Sequence, residues 1–383
     1  MAKVSPRTLS GFMELLPREQ MKMERMMEIL RRSYASYGFT PLDTPVIESA
    51  EVLLAKGGGE TEKQIYRFTK GDSDLALRFD LTVPLAKYVA AHYAELSFPF
   101  RRYQIGKVYR GERAGDIMRT VDKLDKIGAE KVRQLLIDEV KMLPCKAENV
   151  LDFMAIKGTN AEVLSALERY RGMDAVFDQG LDELTTVTKY LASFGVPEEN
   201  FAVDLTIARG LDYYTGTVYE TEMTEHPEIG SVCSGGRYDS LAEYYTDKQL
   251  PGVGISIGLT RLFYVLGEQG LLSDELVSAP CDALVIPMTD DLSFAISAAA
   301  QLRAAGIRTQ LYGEKKKFKA RMSYADKLGV PYVIFVGEDE IAGGVLSVKD
   351  MTTGVQRKLS VDAAAEDILA GLYERAACPV IID

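Results

Sequence analysis

The chain has 383 residues, room for two or three domains at roughly 150 residues each. It is 47% apolar and 26% charged, as ordinary globular proteins are, and its four scattered cysteines (Cys145, Cys233, Cys281 and Cys378, with no C-x-x-C pair) exclude a disulfide scaffold and a cysteine-rich zinc module. Two distant histidines, His92 and His226, exclude a histidine-cluster mechanism, and a net charge of −11 leaves nucleic-acid binding to local basic patches.

No run approaches the roughly 18 apolar residues of a membrane span. Met1–Pro6 lacks the apolar core of a signal peptide, so the expected location is the cytoplasm with no membrane partner. Residues 18–37 carry Met23, Met26, Met27, Leu30, Tyr34 and Tyr37 at three-to-four spacing, which predicts an amphipathic helix stopped by Gly38. Its apolar stripe is either core or subunit interface. Pro41 to Glu48 is an extended, proline-bracketed stretch, and Gly57-Gly58-Gly59 a loop. Leu75–Phe79 reads as a strand, followed by a helix capped by Thr82, with Pro84 in its first turn, running to about Leu96. A second strand is predicted over Arg102–Arg110.

Residues 120–200 are helical and charged and read as an insertion. Strand character returns at Phe201–Ile207 and Thr217–Glu222, and a glycine-rich stretch from Gly252 to Gly258 leads into a helix over Leu259–Leu266. Beyond a linker at Leu271–Pro280, strands at Ala283–Ile286, Thr309–Tyr312 and Tyr332–Val336 alternate with helices at Leu292–Ala305, closed by Gly306, and near Phe318–Leu328. This alternation predicts a small α/β domain with a mostly parallel sheet.

Three patches concentrate chemistry. Arg101 to Arg113 holds five cations and one carboxylate; on a strand, Arg102, Gln104 and Arg110 share a face, suited either to phosphate oxygens or to a charged edge exposed to water. Arg209-Gly210-Leu211-Asp212-Tyr213-Tyr214 places an arginine beside glycine, where a ligand can come close, with adjacent tyrosines on opposite faces; a simple turn is the alternative. Gly235-Gly236-Arg237-Tyr238, followed by Gly252 to Arg261, offers alternating glycines against which something flat can lie.

Gly254-Ile255-Ser256-Ile257-Gly258 matches a nucleophile elbow, but both histidines precede Ser256, and a hydrolase of that kind needs one after it. The glycine spacing is not that of a dinucleotide fold, and no P-loop is present. Scattered arginines without histidine, reactive cysteine or P-loop lysine suit activation of a carboxylate by ATP. The attacking group is already ionised, so the protein has only to align two reactants and stabilise charge on the α-phosphate.

On these residues the chain resembles the histidyl-tRNA synthetases, a family of class II aminoacyl-tRNA synthetases, over nearly its whole length. Leu42–Glu48 resembles motif 1, Arg102–Arg113 the start of motif 2, Gly252–Arg261 motif 3, and Arg209 to Tyr214 the histidine-specific signature. Residues 280–383, with Met322 to Gly329, resemble the anticodon-binding domain.

The resemblance implies an α+β fold: an antiparallel class II sheet with flanking helices, a helical insertion and a C-terminal α/β domain. The segments are 1–119 (motifs 1 and 2), 120–200 (insertion), 201–272 (histidine signature and motif 3) and 280–383 (anticodon-binding-like). It implies ATP-dependent formation of histidyl-adenylate and transfer to tRNA(His) by a homodimer, with ATP and Mg2+ entering as a substrate complex and no resident metal. Asp80, Thr82, Tyr213, Tyr214 and Tyr238 would hold L-histidine, Arg110, Glu112 and Arg261 would bind ATP, and Arg110, Arg209 and Arg261 would serve catalysis. Lys315, Lys316, Lys317, Lys319 and Arg321, a basic cluster in an acidic chain, become candidates for tRNA phosphate contacts; a solvated helix start is the plainer alternative.

The chain departs from the family at one junction. After Arg113, six residues (Ala114 to Arg119) lead directly into Thr120 to Gly128, which resembles the insertion. The rest of the motif 2 loop and its returning strand, which supply a glutamine and an acidic residue to the amino-acid pocket, are missing. The expectation is weak or absent histidine-dependent pyrophosphate exchange with ATP binding partly kept. The alternative to a ligase is a catalytically inactive synthetase-like binding or regulatory protein.

Overall fold

The computed structural model describes residues 5–9, 11–55, 65–111, 128–139, 141–207, 213–272 and 279–377. The Gly57–Gly59 loop, the junction after Arg113, most of the 271–280 linker, and the residues Glu112 and Arg209 lie outside them. Two compact units are distinguished, Met26–Leu271 and a second made of Met1–Arg25 with Leu272–Asp383.

The first helix, Pro17–Ser36, lies within a residue of its predicted bounds, but its stripe is only partly enclosed: Met23 is buried and Tyr37 is exposed. In the Met26–Leu271 unit, β1 (Thr40–Pro41) runs parallel to β5 (Arg102–Tyr103). β2 (Ile47–Ser49), β3 (Arg67–Lys70) and β4 (Ser73–Leu77) form an antiparallel sheet in the order β2-β4-β3. β6 (Val218–Thr221), β7 (Cys233–Tyr238) and β8 (Gly252–Ile257) form another, in sequence order.

The predicted strand over Arg102–Arg110 is regular only at Arg102–Tyr103, because the side chains beyond it are drawn into separate polar contacts: Gln104 to Asp43 and Thr44, Arg110 to the Phe79 carbonyl. Phe201–Ile207 is not a strand; the Asn160 side chain holds it, donating to the Phe201 carbonyl and accepting from the Val203 amide. The helix predicted from Thr82 begins there and stops at Ala91, five residues early. Its first turn is capped not by Thr82 but by Asp80, whose Oδ1 accepts from the Val83 amide at 3.1 Å.

Between Ala129 and Ser193 the described chain is helical, and an aromatic trio, Phe153, Tyr170 and Phe177, packs edge-on around buried Val163, Leu167 and Leu181.

In the other unit, β9 (Ala283–Pro287), β10 (Thr309–Leu311), β11 (Tyr332–Val336), β12 (Val345–Asp350) and β13 (Gln356–Ser360) lie in the order β10-β9-β11-β12-β13. β10, β9 and β11 are parallel, while β12 and β13 add antiparallel pairings, so the sheet is mixed rather than mostly parallel. β9 is buried at every residue: Ala283 and Val285 face one helical layer and Leu284 and Ile286 the other, as a strand covered on both faces requires.

Candidate active site

Arg78, Phe79 and Asp80 follow β4 and dive under the helix Thr82–Ala91 into a core made by Ala76, Phe79, Val83, Ala86, Tyr213 and Leu241. Asp80 is 5% exposed. Its Oδ2 accepts a 2.9 Å hydrogen bond from the Tyr213 hydroxyl. Burial pushes the Asp80 carboxyl above the usual carboxylate range; the Tyr213 hydroxyl, the Val83 and Thr82 amides and the Arg110 guanidinium pull it back without cancelling that rise. Burial likewise raises Tyr213, reinforced by the charge of Asp80.

The tyrosines form one aromatic corner. Tyr213 meets Tyr214 edge-on at 5.2 Å and Tyr238 edge-on at 6.0 Å between ring centres. The glycines of β7 and β8 make this possible. Tyr238 stands opposite Gly252 in register, and a Cβ on Gly252 would collide with its ring. A Cβ on Gly236 would come within 2.9 Å of the Tyr214 ring, and one on Gly235 within 2.7 Å of the Tyr219 ring. The flat groups expected against the glycines are thus the protein's own tyrosines. Tyr219 completes the corner, its hydroxyl donating to the Gly254 carbonyl at 2.8 Å.

Of the residues singled out in the sequence, Asp80, Thr82, Tyr213, Tyr214, Tyr238 and Arg110 come together. Arg110 is anchored by Nε donating to the Phe79 carbonyl at 2.8 Å, and its charge acts on both Asp80 and Tyr214. Arg261, on the helix Leu259–Glu268, is docked instead on the Ile229 carbonyl. Glu112 and Arg209 lie outside the described residues.

Two arginines nearby stand outside the site roles that the resemblance implies. Arg102 donates from Nη2 to the Leu81 carbonyl at 3.0 Å, and burial lowers its pKa while the neighbouring Tyr238, Asp80 and Tyr213 raise it. The even spacing of Arg102 and Arg110 is the signal that points to it. Arg78 carries none, since a lone arginine between apolar residues reads as surface. It is 2% exposed.

In the other unit, Lys315 pairs with Asp290 and Lys316 with Glu314, both at 2.6 Å and both in water. Arg321 turns inward, donating to the Pro287 and Lys316 carbonyls beside the Tyr312 ring. Among the described residues no cluster of His, Cys, Asp and Glu could hold a metal ion, and no helix is long and apolar enough to cross a membrane.

A corner with one buried carboxylate, four phenols and the guanidiniums of Arg102 and Arg110 offers an anion for an ammonium, hydroxyls for a polar ring, and cations for phosphate. Comparison with known proteins bears on the family of the chain. The family model described as histidyl-tRNA synthetase matches residues 11–133 and 116–262, and the one described as anticodon binding domain matches residues 282–370.

The histidine–tRNA ligase of Clostridium tetani is 45% identical, with 95% of this chain and 98% of that protein aligned, and that of Xanthomonas oryzae is 39% identical over 98% and 100%. The crystal structure of histidyl-tRNA synthetase from Nostoc sp. PCC 7120 superposes with a TM-score of 0.82 at 34% identity, covering 96% of this chain and all of that one. The Clostridium alignment runs over 432 positions, more than the 383 residues of this chain, so that relative carries residues with no counterpart here, and the family match breaks in two at 116–133. Matched from residue 11 to residue 262 and aligned along nearly the full length of its relatives, the chain belongs to the histidyl-tRNA synthetase family.

Proposed function

We infer that this chain is a histidine–tRNA ligase that activates L-histidine with ATP and transfers it to tRNA(His). The observation that carries the reading is the buried Asp80–Tyr213 pair with Arg110 against its flank. In this reading Asp80 and Thr82 receive the α-ammonium of histidine. Tyr213, Tyr214 and Tyr238 enclose its imidazole with their edge-on rings. Arg110 takes the α-phosphate, and Arg261 leaves the Ile229 carbonyl to meet the far end of the triphosphate. Glu112 and Arg209 keep the roles that the resemblance gives them. ATP arrives with magnesium as one substrate complex.

The chemistry asks little of acid–base groups. The histidine carboxylate attacks the α-phosphorus, pyrophosphate leaves, and the guanidiniums offset the charge that builds on the α-phosphate. Residues 1–119 and 201–272 form the catalytic part, 120–200 the insertion and 280–383 the anticodon-reading part, with the exposed Lys315–Lys319 stretch as a phosphate contact. The working unit is a homodimer in the cytoplasm.

Histidine-dependent exchange of labelled pyrophosphate into ATP tests the reading. Exchange above the rate without histidine, however slow, supports a ligase. Binding of histidine and ATP with no exchange favours the synthetase-like binding protein. That second reading draws on the relatives' unmatched residues, since the absent return strand would leave one wall of the amino-acid pocket unbuilt.

A further inference from the structure

Arg78 lies at the crossing of three chain segments. Its backbone amide donates to the Val46 carbonyl at 2.9 Å, and its carbonyl accepts from the Tyr109 amide at 3.0 Å. Its side chain then reaches both flanking segments. Nε donates to the Lys107 carbonyl at 2.9 Å, while Nη1 donates to the Thr44 carbonyl and to Asp43 Oδ1 at 3.2 Å. Gly106 provides the space, because a Cβ there would run into Nη2. Gln104 braces the same corner, its amide donating to Asp43 Oδ1 at 2.8 Å and to Thr44 Oγ1 at 3.1 Å.

The residues directly beyond this crossing form the site. The carbonyl of Phe79 accepts from Arg110 Nε, and Asp80 accepts from Tyr213. No regular strand pairing holds residues 104–110 against residues 78–80. Their alignment rests on three bonds in a row: Arg78 Nε to Lys107, Tyr109 to Arg78, and Arg110 to Phe79.

We propose that Arg78, seated against Gly106, is a positioning residue for adenylate formation: its guanidinium fixes the offset between Asp80, which holds histidine, and Arg110, which holds the α-phosphate. The proposal rests on the reading of those two residues given above. An in-line displacement tolerates little misplacement, and about 1 Å can cost on the order of a hundredfold in rate. Lysine keeps the charge of Arg78 but lacks the planar fork that spans two segments at once.

The test uses the full chain with Arg78→Lys and Gly106→Ala, their folding checked by circular dichroism. L-histidine and an ATP analogue with a methylene bridge between its α- and β-phosphates are titrated by calorimetry, alone and then together. Each ligand alone should bind Arg78→Lys within threefold of the unsubstituted chain. The tightening of each ligand by the other should fall at least fivefold, and kcat for histidine-dependent exchange at least thirtyfold with KM little changed.

Gly106→Ala should show the same split, and should add nothing in an Arg78→Ala background, where the space is already vacant. If Arg78→Lys fails to fold, Gly106→Ala carries the test. A folded variant that keeps both ligand coupling and kcat within twofold overturns the proposal, as does a loss confined to KM, or an unsubstituted chain that binds both ligands without coupling. An unsubstituted chain that binds neither ligand refutes the ligase reading itself, and the clamp's role with it.

Discussion

The Tyr213 hydroxyl donates to Asp80 Oδ2 at 2.9 Å across 133 positions of sequence, and both side chains are buried. A carboxylate so placed is costly when ionised, and the phenol recovers part of that cost. Tyr213→Phe removes the donor and leaves the packing. Histidine affinity at pH 7 should fall roughly tenfold, about 1.4 kcal/mol, the size of a hydrogen bond to a charged group. Calorimetric titration with histidine reads this directly; an unchanged affinity would place the ammonium elsewhere.

The raised pKa of Asp80 has a signed consequence for stability. Between the unfolded carboxyl value of about 3.9 and the higher folded value, the native state keeps a proton that the unfolded chain has released. Its contribution to stability is therefore present at low pH and lost as pH rises through that window. Asp80→Asn cancels this term. The ligand-free protein should melt higher than the parent at pH 7, with the difference shrinking toward pH 4, while the melting shift caused by histidine disappears. Thermal scans across that range decide it: a variant less stable at pH 7 contradicts the sign.

Gly252 and Gly236 are required by neighbouring rings rather than by their own backbone angles. Gly252→Ala must push Tyr238 out of the aromatic corner, and Gly236→Ala must push Tyr214. Each should cost about 1–3 kcal/mol, as overpacking does, and should weaken histidine binding as well. Gly270→Ala serves as a control, because its cost comes only from a positive φ in open space. Equal histidine affinity in Gly252→Ala and Gly270→Ala would show that the ring position does not matter.

Asn160 joins the helical segment to residues 201–203 with both ends of its amide: Nδ2 to Phe201 O at 3.1 Å, and Oδ1 from Val203 N at 2.8 Å. Asn160→Ala leaves two backbone groups without these partners. It should cost about 2–3 kcal/mol in urea unfolding, and Asn160→Asp, which keeps the acceptor but loses the donor, should cost less.

The basic cluster divides in two. Lys317→Glu with Lys319→Glu should weaken tRNA binding and flatten its salt dependence by roughly one unit of slope for each phosphate no longer neutralised, leaving the melting temperature unchanged. Arg321→Glu should instead lower the melting temperature, because its guanidinium is bound to the Pro287 and Lys316 carbonyls. Filter binding at several salt concentrations, with parallel melts, separates the two; a stable Arg321→Glu would contradict its inward placement.

Periodicity alone determined the helix over residues 17–36 and the strand–helix alternation after residue 280, because those elements are set by local spacing of apolar residues. Residue types alone pointed to carboxylate activation, since scattered arginines without histidine, reactive cysteine or P-loop lysine suit a reaction whose attacking group is already ionised. Three things depended on contacts between distant segments and were decided only by the tertiary structure. The strand after Arg102 breaks because Gln104 and Arg110 find partners at Asp43 and Phe79. The glycines of β7 and β8 serve the protein's own rings, which only strand register brings opposite them. Arg78, unremarkable in sequence, is enclosed because three segments converge on it, and local spacing cannot encode a hydrogen bond between Arg78 and residues 29 and 34 positions away.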